Sequence, residues 1–565
     1  MESNPNRARA ITGDPTFRNM ERNMRDSRTH SHLTKSISAS LVTILCAGLL
    51  IGLTGCVSAT LASPPAGKIQ GLATANGTVA FKGIPYAAPP VGSLRFMPPQ
   101  PPKPWTGTFE ALKYGKAEAQ PPDAISGSSQ FQQSEDCLTL NIWTPGVDST
   151  RRPVMLWIHG GGFTNGSSAD PVYDGANLAK RGNVTVVTIN YRLGPFGFLY
   201  LGNLGGADYA QSGNLGLLDQ VAAVKWVRDN ISAFGGDPGN VTVFGESAGS
   251  ISICTLLSMP AAKGQFKRAI AESGAANLMH STQNAASITA KFMQTAGVTD
   301  IAGLRALSTD KMVQAEAAMS QQKTQYELLF GPVIDGVAIP RPPLQAIAAG
   351  SASGVDVLIG TNLNEMRLWT LAVPGFARYP LGIDAAFMPI VQNAISLTSL
   401  KTPPAVAASY KSRRPAAADG DVALTALTDA MFRVPSMRVA EAQSIKQPKT
   451  WMYLFTWPSP TVAGLGACHA IELPFVFGNL KGARLAQLIG FNPPQKLSQT
   501  IQDAWTSFAR TGNPNAGGVP AWKAYDARTR ATMIFNTSSK QQNDPYGADR
   551  LVWQGVPFDG VQPSL

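Results

Sequence analysis

Cysteine and histidine are both scarce in this chain, five of each in 565 residues. Cys46 and Cys56 fall in an N-terminal apolar stretch, which leaves Cys137, Cys254 and Cys468. Three widely spaced thiols make no disulfide framework and read as small buried side chains. No His/Cys/Asp cluster has metal-ligand spacing, and no Gly-x-x-x-x-Gly-Lys-Ser/Thr loop is present to cradle a phosphate. No metal and no cofactor are expected. Charge is also sparse, at 15% of residues against 44% hydrophobic, a profile that excludes disorder and suits a large core. The net charge of +11 falls to +8 when the first 55 residues are set aside, since they carry seven basic and four acidic side chains. No basic run or aromatic-basic interleaving follows, so nucleic acid is not an expected partner.

Long apolar runs are missing too, except for Ser36 to Thr54 (SISASLVTILCAGLLIGLT), which follows a polar, Arg-rich segment. A positive n-region before a short apolar h-region reads as a signal peptide for secretion. It ends in Leu53-Thr54-Gly55-Cys56, which resembles a bacterial lipobox with Cys56 as the lipidated first residue of the mature protein. Cys46 does not fit, because bulky Leu45 precedes it. Two alternatives stay open: an uncleaved membrane anchor, and ordinary signal cleavage after Ala59 or Ala62 to give a soluble periplasmic or extracellular product. The expected organisation is a signal segment over 1–55, a tether over 56–67 that includes ASPPAG, and one domain over 68–565.

From Lys68 onward strand-like runs alternate with helical patterns, the signature of an α/β fold. The clearest strands are Val154–Ile158, Val184–Ile189, Val241–Phe244, Arg268–Ala271, Val355–Ile359 and Thr450–Thr456. They are apolar nearly throughout, as in central parallel strands covered on both faces. Leu217, Val221, Val224 and Val227 recur at helical spacing and predict a helix over Gly216–Asn230. Residues 280–350 and 370–445 read as helical insertions of the kind that roof a site. The expected architecture is a large, mostly parallel central sheet flanked by helices.

Gly245-Glu246-Ser247-Ala248-Gly249 lies between the run VTVF and an apolar helical stretch, Ser250–Met259. A Gly-x-Ser-x-Gly pattern in that setting is a nucleophile elbow. The glycines make room for a tight turn, and the helix N-terminus aims its amides at a developing oxyanion. A second feature, His159-Gly160-Gly161-Gly162-Phe163, follows the strand VMLWI and exposes successive backbone N–H groups. The amides of Gly161, Gly162 and Ala248 are the candidate oxyanion hole.

The base emerges by elimination. His30 and His32 leave with the signal segment, His159 belongs to the glycine loop, and His280 reads as a surface residue in a polar stretch. His469 remains, downstream of Ser247 and in the loop after a strand, where open sheets place their sites. The acid is sought between Ser247 and His469 in chain order. Asp335 reads as a turn residue and Asp356 begins its strand, at the wrong end of the sheet. Glu365 follows that strand and is the candidate that orients the imidazole.

These motifs, with Glu135 to Pro145 (EDCLTLNIWTP), Tyr173-Asp-Gly175, Asn190-Tyr-Arg192, Gly213 through Pro238 and Trp505 through Pro514, resemble the type-B carboxylesterase/cholinesterase family of α/β-hydrolases over roughly Gly71 to Pro557. The resemblance implies the α/β-hydrolase fold, a Ser247–Glu365–His469 triad, and hydrolysis of small carboxylic esters through an acyl-enzyme. Family members usually pair the cysteine at 137 with one about twenty residues earlier, and Tyr114 to Gln120 holds none. Cholinesterases place a Trp in that loop for cation–π recognition; Glu118 to Asp136 has none, so choline esters are not expected. Met366 and Ala470 stand where the family usually has Gly. An amidase, thioesterase or lactonase on the same machinery, or a binding protein of the same fold, are the alternative functions.

Overall fold

The structure is a computed structural model that describes residues 60–565, except 124–126, 322–327, 373–402, 483 and 557–565. The signal segment and Cys56 lie outside the described residues. The strands whose sequences are apolar without alternation have a simple reason for it. In Arg152–Ile158, Val154, Leu156 and Ile158 enter one hydrophobic core while Met155 and Trp157 enter a second. Side chains alternate across a strand, so a sheet covered on both faces needs apolar residues at every position.

The main sheet has eleven strands. In chain order they are β1 (Leu72–Ala73), β2 (Val79–Pro85), β3 (Thr139–Thr144), β4 (Arg152–Ile158), β5 (Thr185–Ile189), β6 (Gly236–Glu246), β7 (Arg268–Glu272), β8 (Asp356–Asn362), β9 (Thr450–Phe455), β10 (Ala531–Phe535) and β11 (Lys540–Asn543). Their spatial order is β11-β10-β9-β8-β7-β6-β4-β5-β3-β2-β1. From β10 across to β5 every neighbouring pair is parallel, whereas β3, β2, β1 and β11 join antiparallel at the edges. All six strands and the helix expected from sequence are present within a few residues of their predicted bounds. The antiparallel edge was not legible, because Thr139–Thr144 falls inside a signature that reads as motif rather than as strand.

The helices that cover the sheet include α1 (Leu215–Asn230), α2 (Ala248–Leu256), α4 (Val434–Lys446) and α5 (Gln495–Thr511), while α3 (Asp419–Thr428) and the short α6 (Gly547–Val552) pack outside them. Ile251, Ile253, Val224 and Val227 of α1 and α2 pack in one core. Trp505 and Phe508 of α5 pack in the other with Trp157, Phe244 and Phe477. Each such buried side chain contributes about 1.5–3 kcal/mol relative to exposure. The segment Leu61–Ala62, within the stretch expected as a tether, is a strand that pairs antiparallel with Lys68–Gln70, and Ala62 is buried. The folded unit therefore takes in residues before Lys68. Among the described residues, no helix is long and apolar enough to cross a membrane.

Candidate active site

Four loops leave the carboxyl ends of the parallel strands β4, β6, β8 and β9 and converge. The first follows β6, where Ser247 turns the chain into α2 at φ 55° and ψ −121°. That conformation is disfavoured for a residue with a Cβ, at a cost of about 1–3 kcal/mol, and the backbone is held on both sides to sustain it. Ser247 N–H donates to Glu272 O at 2.9 Å, and Ile251 N–H donates to Ser247 O at 2.9 Å. The motif's glycines are dictated by close approach. A Cβ at Gly249 would sit 2.0 Å from Ile158 O, and one at Gly245 would sit 2.5 Å from the same atom.

The second loop follows β4. Gly161 and Gly162 have φ of 110° and 61°, and a Cβ built on Gly160 would lie 3.0 Å from Ser247 Cβ. The glycine run thus passes directly beside the candidate nucleophile. His159 anchors it, as expected: Nδ1 bonds Gly160 O at 2.8 Å, and the ring stacks on Tyr191 at 4.6 Å. Burial pushes this imidazole down to about 4, so it stays neutral and structural. His280 is a correction. It is 2% exposed rather than at the surface, its Nδ1 lies 3.0 Å from Asn284 Nδ2, and burial lowers it to about 4. Its polar neighbours in sequence begin a helix with Ser281 as cap, which turns the His280 ring inward.

The third and fourth loops follow β8 and β9. Glu365 Oε2 lies 2.7 Å from His469 Nδ1, while Glu365 Oε1 accepts from Asn362 N–H at 2.6 Å. Asn362 Nδ2 also donates to Cys468 O at 2.8 Å and to Glu472, so one amide ties both loops together. Asp356 stands at the opposite end of β8, paired with Arg268 at 3.3 Å, and Asp335 accepts Val337 N–H as a turn residue. Ser247, His469, Gly160, Gly161, Gly162 and Ala248 all line one cavity of about 530 Å³. Met366 and Ala470 line it too. Ala470 takes a left-handed φ of 64°, the conformation that favours the glycine expected there.

Sequence reasoning missed the carboxylates packed around His469. Glu246 Oε1 lies 2.9 Å from His469 Nε2, opposite Glu365, so the ring is held between two acids. Burial alone would push the imidazole down, but the two carboxylates outweigh it and hold it well above its ordinary value. Burial raises Glu246 and, with neighbouring carboxylates, carries Glu472 to about 8 and Glu272 well above the usual range. Glu272 Oε1 accepts from Trp505 Nε1 at 2.8 Å. Glu246 sits inside the elbow motif, yet nothing in its spacing reveals that it faces the histidine.

Among the described residues, Cys137, Cys254 and Cys468 are buried and free. In place of the disulfide that family members usually make here, Cys137 Sγ donates to Glu118 Oε2 at 3.4 Å. Among the described residues, no group of three or more His, Cys, Asp or Glu side chains could hold a metal ion.

A family model described as the carboxylesterase family matches residues 58–552. The chain belongs to this family. It is 44% identical over 491 residues to the para-nitrobenzyl esterase of Bacillus subtilis, covering 86% of this chain and 96% of that one. It is 32% identical to the phenmedipham hydrolase of Pseudarthrobacter oxydans, covering 85% and 95%. The crystal structure of a Geobacillus stearothermophilus carboxylesterase superposes with a TM-score of 0.79 at 39% identity, over 88% of this chain and all of the other. The fold is that of the α/β-hydrolases, and the protein is a serine carboxylesterase, a carboxylic ester hydrolase acting on small-molecule esters. For this esterase the mostly parallel sheet is the scaffold that aims four loops at one cavity.

Proposed function

We propose that the esterase works through an acyl-enzyme on Ser247, with His469 as general base and acid and Glu365 as the residue that orients it. The observation that carries this reading is the 2.7 Å contact of Glu365 with His469 Nδ1, in the cavity that Ser247 lines. Nε2 exchanges its contact with Glu246 for Ser247 Oγ and takes the serine proton as Oγ attacks the ester carbonyl. The amides of Gly161, Gly162 and Ala248 receive the oxyanion, and His469 returns the proton to the leaving alcohol. Water then attacks the acyl carbon by the same route and releases the acid. Relatives named for para-nitrobenzyl esters and phenmedipham support substrates with an aromatic group, for which the rings of Trp369 and Phe432 beside His469 offer a surface. Ser247→Ala should leave the thermal melt unchanged and abolish both turnover of 4-nitrophenyl acetate and labelling by a fluorophosphonate. Near-full turnover by that variant would refute the assignment.

The mature enzyme is secreted and tethered to the bacterial envelope through a lipid on Cys56. Leu53-Thr54-Gly55-Cys56 supports this, and so does Ala62, which pairs with Ile69 in the folded unit. Cleavage after Ala62 would sever that strand. Intact mass of the mature protein tests the reading: a diacylated Cys56 terminus is expected, and an unmodified terminus at Thr60 would overturn it.

A further inference from the structure

The first stretch of the folded unit carries most of the chain's positive surplus. From Thr60 to Ala117 there are five lysines and one arginine against a single carboxylate, Glu110. This stretch therefore supplies +5 of the +8 found beyond residue 55. Arg95 is taken up in a buried pair with Glu135. Lys68, Lys103, Lys113 and Lys116 stand exposed, and Lys82 is half-buried.

Strand register sorts the side chains here into two faces. Leu61–Ala62, Lys68–Gln70 and Thr108–Glu110 form a small three-stranded sheet. Ala62 pairs with Ile69 and Ile69 with Phe109, and all three side chains pack in the core that α1 also enters. Leu61 pairs with Gln70 and Gln70 with Glu110, so these three face outward. Two residues beyond Gln70, Leu72 continues that face opposite Ala80, and two beyond Glu110, Leu112 continues it opposite Lys82. Leu61, Leu72 and Leu112 are 44%, 53% and 41% exposed. Single exposed leucines are ordinary on a protein surface, but these three share one face with lysines around them. Half-buried Trp105 lies alongside, donating from Nε1 to Lys68 O at 3.2 Å and stacking near Phe109 at 5.3 Å. Apolar side chains with lysines about them and a Trp at the margin are suited to the headgroup level of a membrane.

The chain leading into this sheet says what covers it. Three residues separate Cys56 from Thr60, and Thr60 is fixed to the sheet. Gly71 N–H donates to its carbonyl and Gln70 Nε2 to its Oγ1, both at 2.7 Å. Four residue steps of at most about 3.6 Å reach roughly 14 Å, so a lipid on Cys56 keeps Thr60 close to the headgroups. Attraction between lysines and anionic lipid decays over about 8 Å at physiological salt, and only a face held this near gains from it. We infer that the outward face of this sheet, with Leu61, Leu72, Leu112 and the lysines around them, rests on an anionic lipid bilayer. The inference rests on the reading of Cys56 as lipidated.

The test uses the mature, lipidated enzyme in vesicles of phosphatidylglycerol and phosphatidylethanolamine whose acyl chains carry bromine, a contact quencher. Leu72→Cys, Leu112→Cys and Ile445→Cys are each labelled with a polarity-sensitive fluorophore, while Cys137, Cys254 and Cys468 are buried and stay unlabelled. Ile445, 76% exposed, is the control. It lies on α4, which packs on β8 and β9, and β8 is six strands from β2, roughly 29 Å at the usual spacing. Quenching at 72 and 112 should exceed that at 445 several-fold, and should fall when phosphatidylcholine replaces phosphatidylglycerol. Two labelled positions keep the test open if one variant does not fold. Equal quenching at all three positions overturns the proposed face. A blue shift at 72 and 112 without quenching means that a second copy of the chain covers it, and overturns the bilayer as the occupant. Quenching that is unchanged in phosphatidylcholine overturns the role of the lysines. Intact mass of the same sample reports on Cys56: an unmodified terminus refutes the anchor reading instead, and is distinguishable from each of these results.

Discussion

Replacing Glu246 by Gln removes one negative charge while keeping the shape of the side chain that touches His469 Nε2 at 2.9 Å. The charge is fully buried, so salt screens it little. At an effective dielectric near 20, two unit charges about 4 Å apart interact by roughly 4 kcal/mol, which bounds the shift at about three pKa units. Opposite charges at such distances are typically worth about one to three units. In the parent, burial works against the imidazolium but Glu246 and Glu365 outweigh it and raise His469. A raised base remains protonated, and therefore idle, until the pH exceeds its pKa. Activity is thus lost as the pH falls through that value. Glu246→Gln lowers the value, so the acidic limb of kcat/KM should move down by about one to three pH units. The assay is kcat/KM for 4-nitrophenyl acetate between pH 4 and 9, followed in a pH-stat and expressed as a fraction of each enzyme's own plateau. The fraction matters because an amide at 246 also changes the plateau. An acidic limb that stays in place, or moves to higher pH, would show that Glu246 does not hold the proton on His469.

Three further outcomes are expected. Gly161→Ala would put a Cβ 2.0 Å from Asn165 O, displacing the amides of this loop, and should cost about 10²–10³ in kcat, as loss of an oxyanion donor does, together with a lowered melt; a variant of near-parental kcat would remove this loop from the oxyanion hole. Asp219→Asn breaks a fully buried, two-point pair with Arg192 at 2.7 and 2.8 Å and should destabilise by about 3–5 kcal/mol in urea unfolding; a loss under 1 kcal/mol would contradict it. Burial pushes the thiols of Cys137, Cys254 and Cys468 up, that of Cys254 to about 12, so iodoacetamide at pH 8 should leave the native enzyme active and unlabelled by mass spectrometry, and rapid inactivation would be the contrary result.

The contrast between Glu365 and Glu246 shows what sequence reasoning could reach. The place of Glu365 beside His469 was legible because it depended on strand direction. An apolar run marks β8, a parallel sheet places its site at the carboxyl ends, and Asp356 is thereby set at the wrong end. Ser247 and the glycine loop were legible for a related reason: backbone crowding demands glycine, and glycine is visible in a sequence. Glu246 has no such signature. Whether the residue before an elbow serine faces solvent or the base depends on how β6 twists into α2, and no local pattern encodes that rotation. His280 failed for the same cause, since a polar neighbourhood in sequence says nothing of a ring that turns inward at a helix start. The buried pair of Asp429 and Arg433 lay further still from view, since it needs a π-turn, partners one helical turn apart and an aspartate far downstream, none of which shares a period or a motif. Chemistry carried by backbone constraint can be read along the chain, whereas selectivity carried by long-range side-chain packing becomes visible only once the chain has folded. The consequence for this esterase is that its candidate nucleophile could be named from five residues, but the second acid against His469 had to be sought in the fold.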